Sequence, residues 1–311
     1  MAGLLLFMLI ALALVLIAAI AATFHIAYRP PRRTAGWAVA HDVPTDVDEI
    51  GLPVELEQID AGDVPLELWR IPGERADGPV FLLVHGWADS RYGLWQYVPA
   101  LRSIASALVL FDQPGHGESR ARRARWGRHA TAIIAQVGQH VGKTTGRPLI
   151  LLGASSGGAI AMQACDACGA AGVIVDAPVC SIIGGSARIA AGIGLPLWPG
   201  LVALWLVRRI SGGRWPWLDP AIAAARVGVP VMVIESTDDT IAQPDDARRV
   251  ADAAADGHRV VFEKTGHLAA ARSDPNRFAQ AVDDWLASRG PDKNSAAPVG
   301  RTGSAPYNGV Q

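Results

Sequence analysis

Five continuous apolar runs constrain the fold of this chain more than any other feature. They lie at residues 80–84, 107–111, 149–152, 172–175 and 229–234. Each run has the length of a strand but lacks the alternation of polar and apolar residues that a half-exposed strand shows, so we expect both faces of each strand to be covered. Segments of helical character lie between most of the runs. The sequence therefore predicts an α/β fold, a doubly wound and mostly parallel sheet.

The segments before and after the alternating strands and helices indicate where the domain begins and ends. Residues 54–59 and 65–71 alternate in polarity, which predicts a hairpin at the edge of the sheet. We assign the domain to residues 54–289 and a linker to residues 29–53. Residues 290–311 are rich in Gly, Ser, Ala and Pro without apolar periodicity, and this composition predicts a disordered tail.

The N-terminal segment is long and apolar enough to be a membrane anchor. No charged residue occurs from Ala2 to Phe24, and a run of this length matches the ~30 Å of hydrocarbon in a bilayer. A signal peptide normally begins with basic residues, whereas only the terminal amine precedes this run. Residues 1–28 are therefore predicted to form a single transmembrane helix of the cell membrane. The sequence AIA at 19–21 resembles a cleavage site, which leaves an exported form as the alternative.

The charged residues indicate on which side of the membrane the domain lies, and they argue against one class of partner. The first charges after the apolar run are three arginines at 29, 32 and 33, so the domain is expected on the cytoplasmic face. The whole chain has a formal net charge of −1, which argues against nucleic acid as a partner. One basic cluster, with five arginines at 120–128, is expected to be a solvated loop, with acidic headgroups or an acidic partner as the alternative.

The segment from 181 to 218 interrupts the rhythm of strands and helices. It contains four tryptophans and is uncharged from Ala190 to Val207, but Pro196 and Pro199 argue against a straight membrane-spanning helix. We predict a helical cap inserted over the ends of the strands. Its tryptophans either pack the cap against the core, or line an acyl pocket or contact the bilayer surface.

A candidate nucleophile lies where the run at 149–152 turns into an alanine-rich segment. Residues 153–157, GASSG, match the pattern G-x-S-x-G, in which small flanking residues hold the central serine at a strained, exposed turn. This register selects Ser155. A register one residue later would select Ser156 and would place Ala154 where the pattern begins with glycine. In the first register, the backbone N–H of Ser156 begins the helix and points to where an oxyanion would develop.

Candidates for a general base and an orienting acid follow later in the chain. A serine hydroxyl needs both groups in order to attack at neutral pH. The run at 229–234 leads into a loop with two aspartates, Asp238 and Asp239, and His267 follows a short strand at 260–262. Each candidate thus comes after a strand, in the order serine, aspartate, histidine.

With these motifs, residues 54–289 resemble the serine hydrolases of the α/β-hydrolase superfamily. The tripeptide HGW at 85–87 follows an early strand, and the resemblance implies that the backbone N–H of Trp87 is the second oxyanion donor. The stretch FDQPGHGES at 111–119 is similar to the family's tight turn, which shapes the site. An anchored hydrolase of this plan is also similar to the Bem46-type serine hydrolases.

The resemblance also implies which aspartate orients the base. The family's acid loop reads G-x-x-D, and matching it to this chain selects Asp239, with Asp238 as the alternative. Ser236 departs from the pattern because it stands at the position of the glycine.

The resulting hypothesis is a membrane-anchored hydrolase of carboxylic esters that acts through an acyl-enzyme on Ser155. Its apolar cap favours acyl or lipid-like substrates, and the chemistry requires no metal or organic cofactor. The same triad would also serve an amidase or peptidase, a thioesterase or a perhydrolase. A catalytically silent, membrane-tethered binding protein is the alternative from another class.

Overall fold

The computed structural model describes residues 2–45, 51–180 and 219–289, and six residues between the last two ranges, at 185, 188, 198, 201, 202 and 205. Within these residues, eight strands form one sheet. The strands are β1 (Glu55–Ala61), β2 (Val64–Pro72), β3 (Val80–Val84), β4 (Ala107–Phe111), β5 (Leu149–Ala154), β6 (Gly172–Asp176), β7 (Val231–Ser236) and β8 (Gly257–Phe262).

In the described part of the chain, two helices precede the first strand, and later helices cover both faces of the sheet. In chain order they are α1 (Ala2–Tyr28), α2 (Ala35–Val39), α3 (Arg91–Leu94), α4 (Val98–Leu101), α5 (Arg128–Thr145), α6 (Ser156–Cys168), α7 (Pro220–Ala224), α8 (Pro244–Ala253), α9 (Ala270–Ser273) and α10 (Pro275–Ala287). Two short 3₁₀ turns, Trp95–Tyr97 and Arg102–Ile104, follow α3 and α4.

The sheet has the predicted, mostly parallel topology. Its strand order is β1-β2-β4-β3-β5-β6-β7-β8. The pairs β1–β2 and β2–β4 are antiparallel, and all other neighbouring pairs are parallel. The five apolar runs correspond to strands β3 to β7, whose residues are all buried, and residues 54–59 and 65–71 form the edge hairpin. The doubly wound α/β prediction is confirmed.

Successive residues of the strands pack against helices on opposite faces. In β3, Val80 and Leu82 join a cluster with residues of α5, α6 and α8, whereas Phe81 and Leu83 join a cluster with residues of α3, α4 and α10. Burying a side chain of this size stabilises the fold by about 1.5 to 3 kcal/mol. Both faces of the sheet are therefore core, which explains why the strands read as continuous apolar runs.

Helix α1 is exposed to its surroundings along almost its whole length. It has 27 residues, which corresponds to about 40 Å at the α-helical rise. A helix this long and apolar could cross a membrane, and a signal sequence near an N-terminus has the same character.

The predicted linker packs onto the domain after α1. The guanidinium of Arg32 donates to the carbonyl of Ser119 at 2.7 Å, on the loop that follows β4. The backbone N–H of Ala35 donates to Oε1 of Glu118 at 2.7 Å, on the same loop. The first part of the linker, including α2, is thus attached to the carboxyl-end loops of the sheet.

Two predicted segments lie outside the described residues. Of the cap predicted at 181–218, only six isolated residues are described. The tail predicted at 290–311 begins directly after the last described residue. Both assignments remain predictions from the sequence.

Candidate active site

The candidate nucleophile occupies the turn between β5 and α6. Ser155 has φ 52° and ψ −121°, a conformation with positive φ that costs a residue with a Cβ about 1 to 3 kcal/mol. Its backbone N–H donates to the carbonyl of Asp176 on β6 at 2.8 Å, which holds the turn against the neighbouring strand. Ser156 is already the first residue of α6. The strained position is therefore that of Ser155.

Glycines allow close packing around this turn. A Cβ at Gly153 would overlap the Cα of Gly158, and a Cβ at Gly157 would overlap the carbonyl oxygen of Val84 on β3. Strands β3 and β5 and helix α6 therefore meet at backbone distance. This contact explains the residue types of the motif, because a larger residue at Gly153 or Gly157 would push the helix away from the sheet.

Asp239 and His267 form a hydrogen-bonded pair. Nδ1 of His267 lies 2.7 Å from Oδ2 of Asp239, and Nδ1 is the donor because a carboxylate can only accept. The other oxygen, Oδ1, accepts the backbone N–H groups of Ile241 and Ala242 at 2.7 and 2.8 Å. The Asp239 carboxylate is buried, whereas 19% of the His267 side chain is exposed. The imidazole is thus oriented from its buried side and accessible from the other.

Backbone hydrogen bonds join the two loops that carry this pair. The N–H of Thr237, after β7, donates to the carbonyl of Phe262 at 3.0 Å, and the N–H of Asp238 donates to the carbonyl of Thr265 at 3.0 Å. The side chain of Asp238 is exposed and accepts the Thr237 hydroxyl at 3.2 Å. Of the two neighbouring aspartates, Asp239 is therefore the one that contacts the histidine.

The two predicted oxyanion donors lie next to each other. The backbone N–H of Trp87 donates to Oγ of Ser156 at 2.8 Å, so the loop after β3 contacts the first turn of α6. His85 positions this loop, because its Nε2 accepts the backbone N–H of Gln113 at 2.9 Å. The contact between Trp87 and the Ser156 hydroxyl had no counterpart in the sequence prediction, which concerned only the two backbone N–H groups.

The tight turn after β4 is held by its own aspartate. Asp112 accepts the backbone N–H groups of Arg91 and Glu118 at 2.8 and 2.9 Å. A Cβ at Gly117, where φ is 45°, would overlap the Asp112 carboxylate. Burial lowers the pKa of His116 to about 3. These contacts give the turn a structural role next to the site.

Asp176 is a buried acid that the sequence analysis missed. It ends β6, which lies between β5 and β7 in the sheet. The hydroxyl of Tyr97 donates to its Oδ2 at 2.7 Å, whereas its Oδ1 is buried and has no hydrogen-bond partner among the described residues. Burial raises the pKa of Asp176 to about 6, opposed by the Tyr97 hydrogen bond and by the charge of His267, and supported by Asp239.

Asp176 lies near all three residues of the predicted triad. Its carbonyl accepts the N–H of Ser155, and its side chain is within electrostatic range of His267 and Asp239. The three predicted triad residues therefore lie around the carboxyl end of β6. The sequence signal that could have identified Asp176 was an acid at the end of the apolar run that follows the segment of Ser155.

Another contact that could not be read from the sequence reaches the loop that carries Trp87. Arg33, in the predicted linker, pairs with Asp89 at 2.8 Å, two residues after Trp87. Oδ1 of Asp89 also accepts the backbone N–H of Ser90 at 2.8 Å. The segment that follows the apolar helix thus contributes a charge to the loop that carries a predicted oxyanion donor.

A mostly parallel sheet with these groups at its carboxyl edge defines the class of α/β hydrolases. The model of the alpha/beta hydrolase family matches residues 81–281. That match covers more than half of the chain, and the chain belongs to this family.

One curated protein is similar in sequence to part of this chain, and solved structures are similar to it in fold. The magnesium-chelatase 30 kDa subunit of Rhodobacter capsulatus is 34% identical over 162 residues, which is 48% of this chain and 52% of that protein. The chain thus spans about half the length of this curated relative. An esterase from Pyrococcus furiosus has a TM-score of 0.65 at 16% identity and covers 84% of this chain and 97% of its own. An esterase from Rhodococcus sp. ECU1013 has a TM-score of 0.55 at 21% identity over 76% of this chain and 99% of its own.

Proposed function

We propose that this protein is a membrane-anchored serine hydrolase that cleaves carboxylic esters, with acyl or lipid-like groups as its substrates. Ser155 is the nucleophile, His267 the general base and Asp239 the acid that orients it. The backbone N–H groups of Ser156 and Trp87 stabilise the oxyanion. No metal or organic cofactor takes part in this chemistry.

The hydrogen bond between Asp239 and His267 is the observation that carries the proposal. With Nδ1–H bonded to Asp239, the neutral imidazole has its unprotonated nitrogen at Nε2, which is the nitrogen that can remove a proton from a serine. The buried carboxylate stabilises the imidazolium that forms in this step. Its two further backbone donors keep it from rotating away from the histidine.

The conformation of Ser155 supports its assignment as nucleophile. A residue at a strained turn after a strand projects its side chain away from the sheet edge, where a substrate can reach it. In the proposed reaction, Oγ attacks the ester carbonyl while its proton moves to Nε2 of His267. The imidazolium then protonates the leaving alcohol, and water, deprotonated by His267, releases the acid from the acyl-enzyme.

The contact between Trp87 and Ser156 adds a step to oxyanion binding. In the free protein, the Trp87 N–H donates to the Ser156 hydroxyl. A substrate oxygen that accepts from Trp87 has to replace that hydroxyl or share the donor with it. The N–H of Ser156, at the first turn of α6, is the second donor.

The apolar helix supports the membrane part of the proposal. Anchored by α1, the domain lies on the cytoplasmic face, since the first charges after the helix are Arg29, Arg32 and Arg33. A domain held at a bilayer meets substrates that partition into lipid. This location, together with the apolar character of residues 181–218, supports the choice of acyl and lipid-like esters.

A panel of substrates with one acyl group tests the reaction type. The full chain, purified in detergent, would be assayed with the p-nitrophenyl ester, the p-nitroanilide and a thioester of the same short fatty acid. We expect the ester to be hydrolysed with the highest kcat/KM and Ser155→Ala to abolish the reaction. Faster turnover of the anilide or the thioester would instead assign the same triad to an amidase or a thioesterase, and hydrogen peroxide as a preferred acyl acceptor would indicate a perhydrolase.

A membrane-tethered binding protein without catalysis is the second candidate function. The name of the relative from Rhodobacter capsulatus, a subunit of a magnesium chelatase, is the observation that favours it. A fluorophosphonate distinguishes the two candidates, because it labels only a serine that a base activates. Labelling of the folded wild type supports the enzyme, and absence of labelling supports the binding protein.

A further inference from the structure

The loop between β4 and α5 concentrates positive charge on the surface. Residues 120–128, here called the arginine loop, contain Arg120, Arg122, Arg123, Arg125 and Arg128, all of which are exposed or half-buried. Arg125 pairs with Asp63 at 3.1 Å, and Asp63 is itself 83% exposed. Within the described residues, the other four arginines form no ion pair and no hydrogen bond through their side chains.

The arginine loop is attached to the end of the apolar helix. The backbone N–H of Ala124 donates to the carbonyl of Tyr28 at 2.8 Å, and Nε1 of Trp126 donates to the carbonyl of Ala27 at 3.1 Å. Phe24, the last residue of the uncharged run, precedes Tyr28 by four residues, or about 6 Å along the helix axis. The arginines are therefore held at the level where an inserted α1 would leave the hydrocarbon and enter the headgroup region.

The Arg32 side chain reinforces this attachment. Its guanidinium donates to the carbonyl of Ser119, directly before the arginine loop, and to the carbonyl of Ala121 within it. The loop is thus fixed to both sides of the helix end, by main-chain contacts to α1 and by a side chain of the linker. Its position relative to α1 does not depend on a flexible tether.

The loop also forms one wall of a cavity of about 370 Å³. Four arginines of the loop line one side of the cavity, and Asp63, Val64 and Pro65 line the other. A volume of this size accommodates a phosphate with its glycerol, and the planar guanidinium groups match phosphate oxygens in pairs. The charged side chains that line the cavity are thus four arginines and one exposed aspartate, a balance that suits an anion.

We propose that the arginine loop binds the phosphate of anionic phospholipid headgroups. This proposal rests on the membrane anchoring that belongs to the proposed function. Since β3, β4 and β5 are parallel, the loop after β4 emerges at the same edge of the sheet as Ser155. Headgroup binding would therefore hold this edge towards the bilayer, from which an acyl substrate would come.

Lipid binding by the full chain tests the proposal. The protein in nonionic detergent micelles, with equal amounts of phosphatidylglycerol and phosphatidylcholine of the same chains, would be analysed by native mass spectrometry. We expect adducts with phosphatidylglycerol to predominate. The triple variant Arg120→Gln, Arg122→Gln, Arg123→Gln should lose this preference by at least about tenfold, since each basic residue near an anionic surface contributes a several-fold effect.

A matched variant controls for the loss of charge. Arg147, Arg226 and Arg272 are exposed and lie outside the arginine loop. Their replacement by Gln removes the same charge and should change the preference less than about twofold. Equal preference for the two lipids in the wild type, or the same preference in both triple variants, would overturn the proposal. Displacement of the lipid by inorganic phosphate at equal concentration would also overturn it, because the site would then bind free phosphate.

Extraction of membranes distinguishes a failure of headgroup binding from a failure of the membrane anchoring on which the proposal rests. Membranes containing the wild type or the arginine-loop variant would be washed with alkaline carbonate. Retention of both proteins is expected, because α1 alone anchors them. Release of both would contradict the anchoring and with it the proposal, whereas retention without a lipid preference in micelles would overturn headgroup binding alone.

Discussion

The backbone N–H of Trp87 donates to the hydroxyl of Ser156 at 2.8 Å. The second serine of the GASSG motif thus interacts, through its side chain, with a group that the proposed mechanism assigns to the oxyanion. Its hydroxyl occupies the acceptor position that a substrate oxygen would take. The two serines therefore have different roles, and substitutions of each should have different effects.

Ser156→Ala is predicted to retain activity within about tenfold of the wild type, because both backbone donors remain. The hydroxyl that competes for the Trp87 N–H is removed, so KM for a short-chain ester is expected to stay the same or to fall. Steady-state kinetics with one p-nitrophenyl ester would measure both constants. A loss of kcat by about a thousandfold or more would contradict this role and would make the Ser156 hydroxyl part of the catalytic machinery.

Asp239→Asn is predicted to lower kcat by at least about a hundredfold, because an amide no longer stabilises the imidazolium and no longer fixes the tautomer of His267. Asp238→Asn is the matched control, since Asp238 is the exposed neighbour in the same loop. It should retain nearly full activity. Equal losses in the two variants, measured as kcat with the same ester, would contradict the assignment of Asp239.

Arg33→Gln is predicted to lower kcat/KM by about three- to tenfold while the domain stays folded. The substitution removes the ion pair to Asp89, whose side chain is only 7% exposed, and an unpaired buried carboxylate disturbs the loop that carries Trp87. Arg29→Gln removes the same charge four residues earlier and serves as the control. Circular dichroism would confirm folding, and equal activity of the two variants would exclude a positioning role for Arg33.

Asp176→Asn is predicted to change how stability depends on pH. The folded-state pKa of Asp176, about 6, lies above the ordinary value of 3.8, so the folded protein binds this proton more tightly than the unfolded chain. The stability that the protonated Asp176 side chain provides is present below about pH 4 and is lost as the pH rises through 6. At pH 7 the cost of the buried carboxylate is about 3 kcal/mol.

Asparagine stays neutral at every pH and removes this dependence. Denaturant unfolding of both proteins in one detergent, between pH 4 and pH 7, would give the difference in free energy of unfolding. We expect that difference to shift in favour of the variant by about 2 kcal/mol over this range, because a small part of the cost is already present at pH 4. Asp252→Asn, at an exposed position, should show no such shift. A pH-independent difference for Asp176→Asn would contradict the raised pKa.

Much of the fold could be predicted from the sequence, because a strand that is buried on both faces is apolar along its whole length. The apolar runs that became β3 to β7 had to be apolar at every position, since successive side chains enter opposite cores. The turn at Ser155 was also visible, because close packing there requires glycines. Asp239 needed a further argument, since the sequence alone does not distinguish two neighbouring aspartates by their burial.

The contacts of the linker were not predictable in the same way. From the sequence, Arg32 and Arg33 are interpreted as charges that orient a membrane helix, and the structure shows in addition that their side chains bind loops 56 to 89 residues away in the chain. Single long-range contacts of this kind produce no periodicity. The hydrogen bond between Trp87 and the Ser156 hydroxyl depends on a side-chain rotamer, which the motif does not specify.

The central claim, that Ser155 is an activated nucleophile, is tested most directly by locating a fluorophosphonate adduct. The full chain would be labelled in detergent, digested and analysed by peptide mass spectrometry, with Ser155→Ala and His267→Ala labelled in parallel. We expect one adduct, on Ser155, that is absent in Ser155→Ala and strongly reduced in His267→Ala. An adduct on Ser156, or no adduct on a folded wild type, would contradict the claim.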